Sequence, residues 1–267
     1  MVKVAVIGGG ASGLACAIQI MNTVKNKEDV KVTILERLPR VGKKILVTGN
    51  GRCNLTNVNA SSKDYRGEPE FAEYALNKFS PQSNIEFFNS LGLYTRVEDE
   101  GRVYPLSNQA SSVLDALRFE CERLGVEIVC DYRAVHLKTV YTGVTTKIVV
   151  NNRDRFDYVV VACGGMAAKV HGTDGDAYDL LKMFGHKIIS PAPALVSLNC
   201  DDFTKALKGV RSICKMNLVI DGEKFLENYG EVQFTDYGLS GIPIMQLSRF
   251  VSVSPRSEEH TSELQSR

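Results

Sequence analysis

Residues 2–13 read VKVAVIGGGASG, and the fold turns on this stretch. Val2 to Ile7 has the composition of a short buried strand, and it runs straight into Gly8-x-Gly10-x-x-Gly13. Leu14 to Met21 then reads as a helix, Val30 to Leu35 as a second buried strand, and Glu36 closes that strand. Strand, glycine turn, helix, strand and terminal acid in this order spell a βαβ unit of the dinucleotide-binding kind. The three glycines play separate parts. Gly8 lets the chain turn, Gly10 leaves room for a pyrophosphate, and Gly13 lets helix and strand approach. Free amides and the positive end of the helix dipole then face the phosphates. Glu36 can accept from a ribose diol and would repel a 2′-phosphate, so adenosine with a free 2′-OH is expected there.

Working outward, the chain has 267 residues, 44% hydrophobic and 24% charged, with a net charge of +1. That supports one large or two smaller domains with a proper core. No basic run advertises a nucleic-acid surface, and no apolar stretch reaches the length of a membrane span. The first strand begins at the amino terminus, so no signal peptide is expected. Seven cysteines are scattered without a Cys-x-x-Cys pair, a pattern that fits a reducing cytoplasm better than a disulfide framework or a zinc site. The four histidines show no metal-ligand spacing; His186, after Gly185, is read as a helix-end cation.

Three further segments carry chemistry. Residues 42–57 read GKKILVTGNGRCNLTN within a long loop spanning 37–60. Gly49 and Gly51 admit close backbone approach, Lys43, Lys44 and Arg52 can neutralise phosphate, and Asn50, Asn54 and Thr56 offer hydrogen bonds. The alternative is a solvated surface loop. Cys53 is open to two readings, a catalytic thiol or, lacking an identified base, an inert one. Val159 to Gly165, a strand ending in small residues and glycines, is placed to touch a cofactor with its carboxyl end, and Cys163 is read as packing. The Gly172–Asp176 turn opens a helix beside it, with Asp176 either a site residue or a cap. Finally, Tyr237, Gly238 and Ser240 precede a helix. They either face a substrate or simply form the entry to that helix.

The remaining pattern predicts helices at 71–79, 84–91, 110–124, 177–184 and 241–251. Strands are expected at 94–97, 102–104, 126–130, 134–139, 145–150 and 158–162, the last as a buried strand of the parallel sheet. A composition shift at Pro191-Ala-Pro193 opens a mostly β region with strands at 196–199, 214–220, 224–226 and 231–234 and a hairpin turn at Asp221-Gly222. Residues 256–267 match the translation of a common sequencing adapter. They are read as a cloning or assembly scar, which makes the preceding chain a truncated one; the alternative is a natural disordered tail.

With these residues in place the chain resembles the BaiN-like flavoproteins, also called the aminoacetone oxidase family. The resemblance runs through residues 4–13, 42–57, 101–105 with Ser107, 162–165, 172–176, 185–186 with 193–195, and 234–241, and the GNGRCNLTN run is its most specific part. It implies an α/β fold: a glutathione-reductase-like FAD-binding Rossmann domain with an inserted β-rich domain. The boundaries expected are 1–190 for the FAD domain without its carboxyl-terminal return, 191–255 for the start of the insertion, and 256–267 for the tail. By resemblance Gly8, Gly10, Ala11, Ser12 and Gly13 cradle the pyrophosphate, Glu36 holds the adenosine ribose, and Arg37 and Lys44 flank the nucleotide. Gly51, Arg52, Cys53 and Asn54 lie near pyrophosphate and flavin, and Gly164 supports the cofactor. Cys163 stands where such proteins often carry threonine.

The function expected is a cytoplasmic FAD-dependent oxidoreductase that reduces a small conjugated organic substrate with NAD(P)H as transient donor. No second glycine-rich βαβ unit is present to house the nicotinamide. Cys53 and Tyr237 are the weak candidates for catalysis, and neither nucleic acid nor membrane is expected as a partner. Two alternatives stand beside it: a flavin-dependent amine- or tRNA-modifying oxidoreductase, and a non-catalytic nucleotide-binding protein or inactive fragment.

Overall fold

The alternation in the first strand sets up the layers. In β1 (Val2–Ile7), Val4 and Val6 point to one face and Ala5 and Ile7 to the other, and all four are buried. β1 pairs in parallel with β2 (Val30–Leu35), and between them runs α1 (Ala11–Thr23), whose buried Leu14, Ala17, Ile18 and Met21 follow the helical period. The computed structural model describes residues 1–65, 67–200, 202–220 and 222–252. Asp221 of the expected hairpin turn and the 256–267 tail lie outside them.

The chain divides into two compact units, 1–188 and 189–267. In the first, β3 (Thr56–Asn57) follows the long loop, and α2 (Pro69–Lys78) and α3 (Pro81–Ser90) come next. Ser80 caps α3 by accepting from the Ser83 amide. β4 (Thr95–Val97) and β5 (Arg102–Pro105) form a hairpin, and β3 joins it in the order β3-β5-β4. α4 (Ala110–Arg123) buries Ala110, Val113, Leu114, Leu117 and Cys121 on one stripe and leads to β6 (Glu127–Val129), which pairs in parallel with β2. β7 (Leu137–Tyr141), β8 (Thr146–Val150) and β9 (Asp154–Phe156) make an antiparallel meander. β10 (Tyr158–Val161) returns to pair with β1, and α5 (Asp176–Lys182) follows.

The parallel sheet therefore has the order β10-β1-β2-β6. Val4, Val6, Val32 and Ile34 pack on α1 and α4 from one face, and Ala5, Ile7 and Leu35 pack on the meander and Leu180 of α5 from the other. This is a Rossmann-type α/β fold, with α1 and α4 on one face of the sheet and the small antiparallel sheet and α5 on the other. All four strands run the same way, so their carboxyl ends collect at one rim, where open α/β sheets hold ligands.

Two local expectations change in the first unit. The apolar run at 158–162 reads as an interior strand, yet β10 is an edge of the described sheet, with Tyr158 64% exposed. The meander also gains β9, whose three residues Asp154, Arg155 and Phe156 are too short and charged to signal a strand.

The second unit holds β11 (Leu198–Asn199), β12 (Arg211–Ile220), β13 (Glu223–Phe234), β14 (Gly238–Ser240) and α6 (Ile242–Ser252). The strands form one antiparallel sheet in the order β11-β14-β13-β12. The strands expected at 224–226 and 231–234 are one strand. Gly230 continues it at φ +149°, and a Cβ there would stand 2.8 Å from Cγ of Pro243. The glycine is demanded by packing and does not end the strand.

Candidate active site at the carboxyl rim of the sheet

A cavity of about 410 Å³ opens at the rim. The strand ends supply its walls: Ile7 and Gly8 after β1, Leu35 and Glu36 after β2, Tyr132 and Arg133 after β6, and Ala162 to Gly164 after β10. The long loop adds Gly42, Lys43, Lys44, Ile45, Thr48, Cys53 and Asn54, and the turn before α5 adds His171 to Asp174 and Asp176.

The glycine turn separates into two kinds of position. A Cβ on Gly8, at φ +109°, would lie 2.5 Å from the Ala162 carbonyl oxygen; one on Gly9 would lie 2.4 Å from Val41 Cγ1; one on Gly13 would lie 1.9 Å from the Gly8 oxygen. These three are required by the protein's own packing. Gly10 is different: a Cβ there would meet nothing within 4 Å, and Gly10 lines the cavity. Gly10 also stands at the N-cap of α1, which has no side-chain cap and no acid in its first turn. The helix start thus presents open amides and uncompensated positive dipole to the space in front of Gly10. A diphosphate fits that combination.

Glu36 is 8% exposed. Its Oε2 accepts from the Gly9 amide at 2.7 Å and its Oε1 from the Leu38 amide at 2.9 Å. The carboxylate thereby fixes the turns on both sides of the cavity mouth. One lone pair on each oxygen remains for a ribose diol.

Arg37 and Arg133 clamp the turn before α5. Arg37 Nη1 donates to Asp174 Oδ2 at 2.6 Å and to Asp176 Oδ2 at 3.1 Å, and Arg133 forks onto both oxygens of Asp176 at 2.9 and 2.7 Å. Asp176 is an ion-pair partner at the cavity, and no side-chain cap bond is made at the start of α5. Asp174 Oδ1 and His171 Nδ1 are buried and have no partner among the described residues. Both residues line the cavity, and polar atoms left unmatched by protein are a second sign of a polar ligand. The hydrogen bond from Arg37 holds the Asp174 carboxyl below its ordinary range. A carboxylate depressed in the folded state contributes stability above its unfolded pKa and loses it as pH falls through the folded value. Thermal melts of wild type and Asp174→Asn should therefore differ by about 1–2 kcal/mol near neutrality and converge below about pH 4; a constant gap across that range would contradict the ion-pair role.

Of the residues expected at the site, Gly8, Gly10, Ala11, Ser12, Glu36, Arg37, Lys44, Cys53, Asn54 and Gly164 line the cavity. Lys44 Nζ donates to the Ala167 oxygen at 3.2 Å. Gly13, Gly51 and Arg52 are not among the lining residues; Gly13 serves packing, and Arg52 turns to the β4–β5 hairpin, donating to Glu98 at 2.5 Å. Tyr237 belongs to the second unit, in the turn between β13 and β14, where its backbone carbonyl accepts from the Cys200 amide at 3.1 Å. Sequence reasoning passed over Tyr132, Arg133 and His171 as site residues. Tyr132 and Arg133 follow the end of β6, and the rule that ligands bind at carboxyl strand ends would have found them.

Cys53 is 8% exposed, and burial pushes its thiol above the ordinary cysteine value. Burial pushes Cys163 to about 11. Both stay protonated near neutral pH, so neither is a ready nucleophile. A second hollow of about 600 Å³ shares Ala11, Ser12, Ile45, Cys53 and Asn54 with the first and is walled by Phe79, Phe87, Phe88, Val113 and Leu117. Cys53 and Asn54 thus border both spaces. Among the described residues no group of three His, Cys, Asp or Glu side chains could hold a metal ion, and no helix is long and apolar enough to cross a membrane.

The chain is similar to known proteins. The HI0933-like protein Rossmann domain matches residues 2–249. A 3-dehydro-bile acid delta(4,6)-reductase from Clostridium scindens is 42% identical over 257 residues, covering 94% of this chain and 61% of the relative. A ribosomal RNA dihydrouridine synthase from Haemophilus influenzae is 27% identical over 92% of this chain and 60% of its own length. The chain spans about three fifths of these curated relatives. Among solved structures, the open conformation of a flavocytochrome c3 fumarate reductase aligns over 79% of this chain and 46% of its own at 14% identity, with a TM-score of 0.45.

Proposed function

The chain belongs to the HI0933-like Rossmann family, and from that premise we propose that it is the FAD-holding part of a reductase acting on a carbon–carbon double bond conjugated with a carbonyl. The observation that carries this is Gly10, which alone of Gly8, Gly9, Gly10 and Gly13 faces open space, at an uncapped helix start in a cavity bounded by Glu36. In this reading the amides after Gly10 bind the pyrophosphate, and Glu36 takes the adenosine ribose on its remaining lone pairs. Lys43 and Lys44 offset phosphate charge, and Gly164, Cys53 and Asn54 bound the space next to them. FAD, when bound and reduced by the donor, would supply hydride to such a double bond. The protein's share is to orient both partners and exclude water.

The substrate class follows from the relatives. The bile acid reductase, at 42% identity, is named for saturating ring double bonds, and a dihydrouridine synthase forms the saturated pyrimidine. A conjugated double bond beside a carbonyl is common to both. The higher identity favours a small molecule over RNA, with NADH or NADPH as transient donor. Seven scattered cysteines without a Cys-x-x-Cys pair fit a cytoplasmic setting.

The test is the visible spectrum of the full-length protein under anaerobic conditions. Flavin bands should bleach with one nicotinamide and return on adding a steroid 4-en-3-one. Reoxidation by ribosomal RNA in place of the enone would favour the second class, and flavin bands indifferent to both nicotinamides would sink the donor assignment.

A further inference from the structure

The loop that walls the cavity is held in an unfavourable shape. Gly49, Asn50, Gly51 and Cys53 have φ of +54°, +55°, +80° and +60°. Asn50 is of the type that visits the left-handed region most readily, but for Cys53 that region is costly, and it persists only where surroundings over-determine it. Backbone bonds inside the loop supply part of this: the Arg52 amide donates to the Gly49 oxygen at 3.1 Å and the Cys53 amide to the Thr48 oxygen at 3.0 Å.

The rest comes from Arg52. Its guanidinium lies 3.8 Å from the centroid of the buried Tyr104 ring. It donates to Glu98 Oε1 at 2.5 Å and to Asn108 Oδ1 at 3.1 Å. Arg96 donates to the same Glu98 oxygen and to the same Asn108 oxygen at 2.8 Å, so both acceptors are fixed from a second side. Tyr104 in turn stands 3.3 Å from where a Gly49 Cβ would lie, and that Cβ would be 2.6 Å from the Asn54 amide. Arg52 is thus gripped by Glu98 just after β4, Tyr104 of β5 and Asn108. The next two residues, Cys53 and Asn54, border the cavity; Arg52 does not line it.

We infer that Arg52 is a positioning residue: it anchors the left-handed loop to the β4–β5 hairpin and so sets Cys53 and Asn54 in the cavity wall, without touching the cofactor phosphates itself. The flat fork is what the place requires, since lysine cannot stack on Tyr104 and reach Glu98 and Asn108 together. The affinity arm of the test rests on the FAD reading above; the exchange arm does not.

Two measurements on the chain separate the possibilities. In hydrogen exchange of the ligand-free protein, Arg52→Ala and Arg52→Lys should each speed the Cys53 amide about 10-fold or more and leave the β1 amides unchanged. In FAD titrations, Arg52→Ala, Arg52→Lys and Glu98→Gln should each weaken binding about 10-fold, and Arg52→Ala combined with Glu98→Gln should be no worse than either alone, because both break one anchor. A phosphate contact predicts otherwise: Arg52→Lys retains affinity, Glu98→Gln is neutral, and the salt dependence of binding falls. That pattern, or an unchanged Cys53 exchange rate, would overturn the inference. Should wild type bind no FAD, the exchange result still decides it, while the FAD reading fails separately.

Discussion

Gly10→Val leaves the chain folded and costs at least about 100-fold in FAD affinity, some 2.7 kcal/mol, whereas Gly13→Ala destabilises the fold itself. The two glycines belong to one motif and face opposite constraints. At Gly10 the backbone is extended, φ −82° and ψ −171°, and a side chain would enter empty space. Valine is a poorer N-cap than glycine by no more than about 1 kcal/mol, so melting barely moves. The isopropyl group would occupy the volume where a pyrophosphate must approach the helix amides. At Gly13 the added carbon would sit 1.9 Å from the Gly8 oxygen, which forces α1 off the sheet. Overpacking of that order costs about 3 kcal/mol or more, a drop of about 6–12 °C in melting temperature for a unit of this size. Differential scanning fluorimetry beside FAD fluorescence quenching reads both. A Gly10→Val protein that binds FAD like wild type would remove the basis for the site.

The second large effect is at Glu36. Its carboxylate accepts from Gly9 and Leu38, so Glu36→Ala leaves two amides unmatched at a buried position. At about 1–3 kcal/mol for each of the two, stability should fall by about 2–6 kcal/mol and FAD binding should be lost with it. Glu36→Gln is the sharper probe. Its amide offers one acceptor where two are needed and turns an NH₂ toward a backbone N–H, so it too should destabilise, by about 1–3 kcal/mol. A glutamine variant as stable as wild type would show that the carboxylate is not holding the turns together.

Much of the first unit's frame was legible because it rests on local rules. Val2–Ile7 and Val30–Leu35 are apolar runs bounded by turn signals, and both strands stand at those residues. The helix at 110–124 showed its stripe in the sequence, since Ala110, Val113, Leu114 and Leu117 repeat at helical spacing. What stayed hidden depends on partners far along the chain. Arg37 meets Asp174 and Asp176, and Arg52 meets Glu98, Tyr104 and Asn108. A basic residue beside a glycine-rich loop invites a phosphate reading, and spacing alone holds no sign that a carboxylate 46 residues later has already claimed it. The strand break expected near Gly230 failed for a similar reason, because the space that glycine vacates is filled by Pro243.

The central claim is that the turn from Gly8 to Gly13 receives an adenine-linked diphosphate with its ribose at Glu36. Calorimetric titration of the chain with ADP, followed by displacement with FAD, tests it without requiring the flavin ring to be held. The account predicts one site per chain, competition between the two ligands, binding at least about 10-fold weaker for 2′-phospho-ADP, and no binding to Gly10→Val. Heat that is absent for ADP, or that persists unchanged in Gly10→Val, would contradict it.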